Sequence, residues 1–337
     1  MRWISALWPV KPCNNKTPGT RPRPLGRCNM PTICCPLHSK TTGVSMAGDS
    51  RGGVGGCQSE ASRLDCALIM PIRTDYHVHT PLCHHATGPM EACVERAIEL
   101  GLSQIGFACH NPLPCDLGSD VRMREVELDY YVRRVLDLQF QYRGRIEVLL
   151  GLEMDYVEGL EDYLSKQATT YPWDYRIGSV HYLDPECRLC AWSPHLPFDA
   201  EEQYCRYYTL LQKLAQSGLC DIVSHLDVPK RSGLQPGPRA EEALARTLET
   251  IARVPLCLEI NTSGYRHPEL RQPEPYPSFS IIKRALELEI PLVVNSDAHA
   301  PEQVGLKFSE LETRLRQMGC RQLTQFTAQR KRVFYDF

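Results

Sequence analysis

The chain has 337 residues, 23% charged and 42% hydrophobic, with a formal net charge of −2, a composition that suits a globular chain with one large core or two modest ones. Near-neutral charge without a long block of one sign argues against a nucleic-acid partner, and no run of eighteen apolar residues offers a transmembrane helix. A small ligand and a cytoplasmic setting are the expectation, since Met1–Val10 has one early Arg and an apolar stretch cut by Pro9, a poor signal peptide.

Residues 1–69 are rich in Pro, Gly, Ser, Arg and Cys and have no period of 3.6 or 2, so they are expected to be a disordered extension. The character changes at Met70, a candidate initiator that would make the extension non-native. From there to residue 337 the chain reads as one domain. Short apolar runs predict strands over 72–77, 103–108, 146–152, 176–181, 221–225, 256–261 and 291–296. Amphipathic stretches between them predict helices: the first starts after Gly88 with Pro89 in its first turn and stops at Gly101, and others cover 123–141, 158–169, 199–217, 239–252 and 277–289. Segment 183–198, with its prolines and Cys187-Arg-Leu-Cys190, reads as a surface insertion; a lone CxxC without a second pair is a loop. The ten cysteines after residue 70 are expected to be reduced, with Cys93, Cys220 and Cys257 serving as small hydrophobes. Seven alternating units in about 270 residues suit a closed α/β barrel of parallel strands.

Polar residues cluster just past the strand ends. The first strand runs into Asp75-Tyr-His77-Val-His79 and then His84-His85; the second ends at Cys109-His110, the third at Glu153, the fourth at His181, the fifth at His225 and the seventh at Asp297-Ala-His299. In a barrel these ends share one rim, the place where barrel enzymes build active sites. His77 and His79 are two apart and face the same way on a strand, as do Asp297 and His299. Imidazole nitrogen with carboxylate oxygen suits zinc, manganese or iron, and nine candidate ligands (His77, His79, His85, His110, Glu153, His181, His225, Asp297, His299) suffice for two or three divalent ions. Taken singly, each His reads as a satisfied polar residue and Glu153 as a salt-bridge partner; together they read as a metal centre. Between the adjacent His84 and His85, His85 is the preferred ligand. His38, His195 and His267 read as solvated.

On these residues the chain resembles the polymerase and histidinol phosphatase (PHP) family over about residues 70–310. The resemblance rests on Asp75-x-His77-x-His79-Thr80, His85-Ala86, His110-x-Pro112, Gly151-x-Glu153, Gly178-Ser-Val-His181, His225-Leu-Asp and Ser296-Asp297-Ala-His299. Within the family the monofunctional histidinol phosphatases are most similar, through Gly178-Ser179-Val180-His181-Tyr182, Leu226-Asp227-Val228-Pro229-Lys230-Arg231, Glu259-Ile-Asn261-Thr-Ser-Gly264 and Tyr276-Pro277-Ser278. The resemblance implies a distorted (β/α)7 barrel with three metals: one held by His77, His79, Glu153 and Asp297, a second by Glu153, His181 and His225, and a third by His85, His110 and His299. Cys109 departs from the family, which often has Asp immediately before the His of the second motif.

The implied reaction is hydrolysis of a small phosphate monoester, histidinol phosphate above all, with Glu153, Asp297 and Arg266 as catalytic residues. Phosphate recognition requires fixed positive charge. Arg266, following the turn at Gly264, suits bidentate contact with phosphate oxygens, and Lys230 and Arg231 are further candidates; the plain alternative for all three is a solvated cation. Two other readings stay open: a PHP phosphoesterase with another phosphate ester or nucleotide as substrate, and a protein whose metals only brace the barrel.

Overall fold

A computed structural model describes residues 72–270, 272–327 and 330–337. The expectations for residues 1–69, for Met70 and for His38 lie outside the described residues. Seven parallel strands lie side by side in chain order: β1 (Thr74–Val78), β2 (Gln104–Phe107), β3 (Glu147–Asp155), β4 (Tyr175–Ser179), β5 (Ile222–Val223), β6 (Cys257–Asn261) and β7 (Leu292–Asn295). Between successive strands run α1 (Met90–Glu99), α2 (Leu128–Gln141), α3 (Glu161–Thr170), α4 (Ala200–Gln216), α5 (Pro238–Ala252) and α6 (Phe279–Glu287), and α7 (Phe308–Gln317) follows β7.

The barrel closes where β7 meets β1. Ala298 N–H donates to His77 O (2.9 Å) and His79 N–H donates to Ala298 O (2.8 Å), a single bridge between Val78 and Ala298. This closure is what places His77 and His79 beside Asp297 and His299. The ring is distorted: β5 is two residues long, and the β1–β2 register slips between Asp75 and Val78.

Every residue of the seven barrel strands except Glu147 of β3 is buried, as expected for parallel strands covered on both faces. The helices cover the outside. In α5, Ala240, Ala243, Leu244, Thr247, Leu248 and Ile251 are buried at helical spacing behind Pro238 in the first turn. The start of α4 is fixed by Asp199, whose carboxylate accepts from Glu202 N–H at 2.8 Å. A second apolar cluster that includes Tyr76, Tyr175, Ile177, Ile222, Val293 and Phe326 fills the inside. No helix among the described residues is long and apolar enough to cross a membrane.

The C-terminal part goes beyond the sequence reading. After α7 comes an antiparallel hairpin, β8 (Gln322–Thr327) and β9 (Lys331–Asp336). Its Phe326 meets Tyr76 edge-on with ring centroids 5.6 Å apart, and Phe326 O accepts from Gln104 Nε2 at 2.9 Å. Gln104 opens β2, so the hairpin plugs the barrel at the end opposite the histidines. Nine of the ten later cysteines are free thiols; Cys115 is disulfide-bonded, which corrects the expectation that all ten are reduced.

Room for Tyr175 inside the barrel depends on two glycines. A Cβ on Gly106 of β2 or Gly151 of β3 would overlap the Tyr175 ring, and the ring is held because its hydroxyl donates to Tyr76 O at 2.5 Å. Overpacking of this kind costs about 1–3 kcal/mol. Gly151→Ala is therefore expected to lower the unfolding free energy by that amount, read as a lower denaturant midpoint at an unchanged slope; an unchanged midpoint would show that Tyr175 moves freely.

Candidate metal centre

His77, next to last in β1, is on the same face as His79 just past the strand, and their ring centroids lie 5.1 Å apart. Both turn Nε2 toward two carboxylates. His77 Nε2 lies 3.4 Å from Glu153 Oε1 and 3.7 Å from Asp297 Oδ1, while His79 Nε2 lies 3.5 Å from Glu153 Oε2 and 3.0 Å from Asp297 Oδ1. Three further imidazoles approach Glu153: His110 Nδ1 at 2.8 Å, His181 Nε2 at 3.5 Å and His225 Nε2 at 3.5 Å. His85 and His299 bring their Nε2 atoms to 2.9 Å from each other, and the His299 ring stacks on His79 at 4.0 Å. His84 instead is exposed at a left-handed turn with φ 65°, so it is His85 that faces the cluster.

Four of these rings are held from behind through Nδ1: His77 by Glu259 Oε1 (2.7 Å), His85 by Cys83 O (2.6 Å), His299 by Asp297 O (2.9 Å), and His181 by the Asp155 carboxylate. An acceptor behind an imidazole fixes its tautomer and aims the other nitrogen, which is how ligating histidines are usually held. Asp297 itself sits at φ 53°, in the left-handed region, and that turn is gripped from two sides. Asp75 accepts from Ser296 N–H and Gly305 N–H, both at 3.0 Å, and Arg266 donates through Nη1 to Ser296 O (3.1 Å) and through Nη2 to Asp297 O (2.7 Å).

Charge is tuned to match. Burial alone would raise Glu153, yet His110, His77 and His181 hold its carboxyl well below the usual range. Asp297 is likewise held low against burial, chiefly by His77 and His79. Burial, with neighbouring imidazoles, pushes His85 down to about 4 and His299 well below its ordinary value. Ionised carboxylates and neutral imidazoles are the protonation states that bind a cation. Against burial, Glu259, Asp297 and Glu153 hold His77 well above its ordinary value, and Asp297 and Glu153 hold His79 up to about 9. A bound cation would displace the protons of these two rings.

The donor set fits divalent metal. His77 Nε2, His79 Nε2, His110 Nδ1 and Glu153 Oε2 are buried without a well-directed hydrogen bond, and leaving such groups unsatisfied costs about 1–3 kcal/mol each. Two atoms that each sit about 2.1 Å from one tetrahedral ion are about 3.4 Å apart. The 2.8–3.7 Å separations around Glu153 and Asp297 match that spacing.

The basic candidates are placed less openly. Lys230 Nζ lies 3.1 Å from both Asp227 Oδ2 and Glu274 Oε1, and Arg231 Nε lies 2.8 Å from Glu269 Oε1. Segment 183–198 is more than a surface insertion: Ala191 N–H donates to His181 O at 2.8 Å, and Trp192 meets the His181 ring edge-on at 5.6 Å. His267, read as solvated, is half-buried with its ring 6.1 Å from Tyr276. Burial, with Arg231 nearby, pushes it down to about 4.

Three acidic supports escaped the sequence reading. Asp155 is two residues past Glu153 on β3, so strand alternation alone aims both at the same face. Asp75 and Glu259 stand inside the motifs quoted above but were assigned no task. Glu259 accepts from His77 Nδ1, His225 N–H (3.0 Å) and Asn295 Nδ2 (2.9 Å). Supports behind metal ligands typically carry about 10–100-fold in metal affinity or activity. Glu259→Gln is expected to lower kcat/KM by about that factor, and a full-rate variant would reduce Glu259 to packing.

A parallel seven-stranded barrel whose strand ends gather seven imidazoles around buried carboxylates is the architecture of the PHP domain, and the chain belongs to that family. Residues 75–263 match the PHP domain and residues 280–319 the PHP-associated region. Among curated relatives, the chain is 38% identical over 259 residues to the "Probable histidinol-phosphatase" of Deinococcus radiodurans, covering 74% of this chain and 95% of that protein. It is 29% identical to the histidinol-phosphatase of Bacillus subtilis, covering 70% and 97%. The fold is shared with the histidinol phosphate phosphatase of Lactococcus lactis, whose structure holds Zn, L-histidinol and phosphate: TM-score 0.65, 22% identity, 78% of this chain and 99% of that one.

Proposed function

We propose that the chain is a metal-dependent phosphomonoesterase that hydrolyses histidinol phosphate to histidinol and phosphate, a step of histidine biosynthesis. The observation that carries it is the convergence of five imidazoles on Glu153 at the rim, with Asp297 alongside. Similarity over nearly the whole length of the Deinococcus relative supports the substrate. The many free thiols favour a reducing, cytoplasmic setting.

Two or three divalent ions, zinc, manganese or iron, are the cofactors of this reading. His77, His79, Glu153 and Asp297 would hold one, Glu153, His181 and His225 a second, and His85, His110 and His299 a third. Bound there, such ions supply Lewis acidity, bringing the pKa of water toward neutrality and offsetting charge on the phosphoryl oxygens. The chain's own part is positioning and electrostatics, which is most of what phosphoryl transfer asks of a protein. Glu153 and Asp297 keep their ligating oxygens ionised. Arg266 has two terminal nitrogens committed to the carbonyls of Ser296 and Asp297; a guanidinium has five N–H donors, and those that make no hydrogen bond among the described residues would donate to phosphate oxygens beside Asp297. Lys230 and Arg231 add positive charge on condition that they exchange a carboxylate for the substrate.

Phosphate release should be measured on histidinol phosphate, sugar phosphates and nucleotide monophosphates, first with metal supplied and then with a chelator. Fast release from histidinol phosphate alone, abolished by chelation and restored by zinc or manganese, is the expected result. Equal rates across the panel would reject the substrate and favour a broader phosphoesterase. No release with metal bound would leave a bracing role.

A further inference from the structure

His79 differs from the four rings held through Nδ1 by oxygen. Its Nε2 faces Asp297 and Glu153, so Nδ1 is the nitrogen left on the other side, buried and without a hydrogen bond among the described residues. What stands behind His79 is sulfur. A ring nitrogen of His79 and the sulfurs of Cys83 and Cys109 lie within 4.8 Å of one another, all buried.

The Cys109 sulfur is arranged as an acceptor. The Thr80 hydroxyl donates to it at 3.3 Å. Its own proton has Thr80 O at 3.7 Å as an outlet, so the sulfur lone pairs stay available. The residue is held firmly: Cys109 O accepts from Glu153 N–H at 3.1 Å, and Cys109 N–H donates to the Tyr131 hydroxyl at 3.4 Å. One residue thus aligns the main chain of Glu153 and backs the ring of His79.

We infer that Cys109 is a positioning residue for His79, a sulfur acceptor that fixes the ring's tautomer and direction as Glu259 and Asp155 do for His77 and His181. The inference rests on the reading of His79 as a metal ligand. Sulfur is a weak acceptor, and the Thr80 hydroxyl keeps it from rotating away.

The test is zinc affinity, measured by competition with a chromophoric chelator on full-length Cys109→Ala, Cys109→Ser and His79→Ala proteins, with a thermal melt of each. Loss of a support behind a metal ligand typically costs about 10–100-fold in affinity. Cys109→Ala is expected to weaken zinc binding by that factor, with Cys109→Ser, which keeps an acceptor in nearly the same volume, recovering most of it. Wild-type zinc affinity in Cys109→Ala while His79→Ala loses zinc would overturn the inference and leave the metal centre intact. Unchanged affinity in His79→Ala would instead overturn the ligand reading beneath it. Equal weakening in the alanine and serine variants, tracking equal losses in melting temperature, would make Cys109 a packing residue and also overturn the inference.

Discussion

Glu153→Gln is expected to lower kcat/KM by a factor on the order of 10³, the scale for removing one pre-organised electrostatic contact from an active site. The substitution keeps shape and removes charge. One oxygen, Oε1, has His77, His181 and His225 within 3.4–3.5 Å and accepts from the Ser179 hydroxyl at 2.6 Å. The other, Oε2, has His79 at 3.5 Å and His110 at 2.8 Å. An amide turns a donor toward imidazole nitrogens that should be lone-pair donors to a cation, so at least one ion's shell is broken whichever way it flips. Bound metal, measured by elemental analysis after desalting, should fall with activity. A glutamine variant that kept its full metal complement and rate would return Glu153 to the plain role of a salt-bridge partner.

Strand ends were legible because both signals are local. His77 and His79, or Asp297 and His299, are two apart, and an apolar run stopping at a polar residue marks where β1 or β7 reaches the rim. What supports those residues was less legible, since the partners are set by barrel closure. Asp75 reaches Gly305 across 230 residues, and Glu259 reaches His77 across 182; no window of sequence contains both ends of either bond. Asp155 is a different case, because its spacing from Glu153 was enough to find it. The basic residues show the opposite failure. Lys230 and Arg231 are conspicuous in the sequence, yet each is met by a carboxylate, from Glu274 and Glu269, that only the folded loops bring near. The hairpin β8–β9 went unread because its pattern is mixed: Thr324 is buried beside Leu323, while Val333 and Phe334 are not buried.

Arg122→Met should be the most destabilising of these substitutions. Arg122 is 2% exposed, donates through Nη2 to Asp155 Oδ2 at 2.6 Å and through Nη1 to Asn111 O at 3.1 Å, and reaches Gly118 O at 3.2 Å through Nε. Breaking a buried ion pair by removing one member costs about 3–5 kcal/mol, because the other charge stays buried without its partner. For a domain of this size that corresponds to a fall of roughly 6–20 °C in Tm. The sign with pH follows from Asp155. Burial would raise its carboxyl, but His181 and Arg122 hold it far below the ordinary carboxylate range, so it contributes stability above about pH 4 that is lost as the pH falls through the folded value. Without Arg122 the folded value rises. The variant's deficit should therefore be largest near neutral pH and shrink on acidification, as the wild-type loses the same contribution. Adding Asp155→Asn to Arg122→Met removes the stranded charge and should recover part of the loss, whereas strictly additive losses would show that the two side chains are not coupled. Any recovery in stability should come without recovery in activity, because Asp155 also holds His181 toward Glu153, and a support that serves the fold and the site together cannot be traded for one alone.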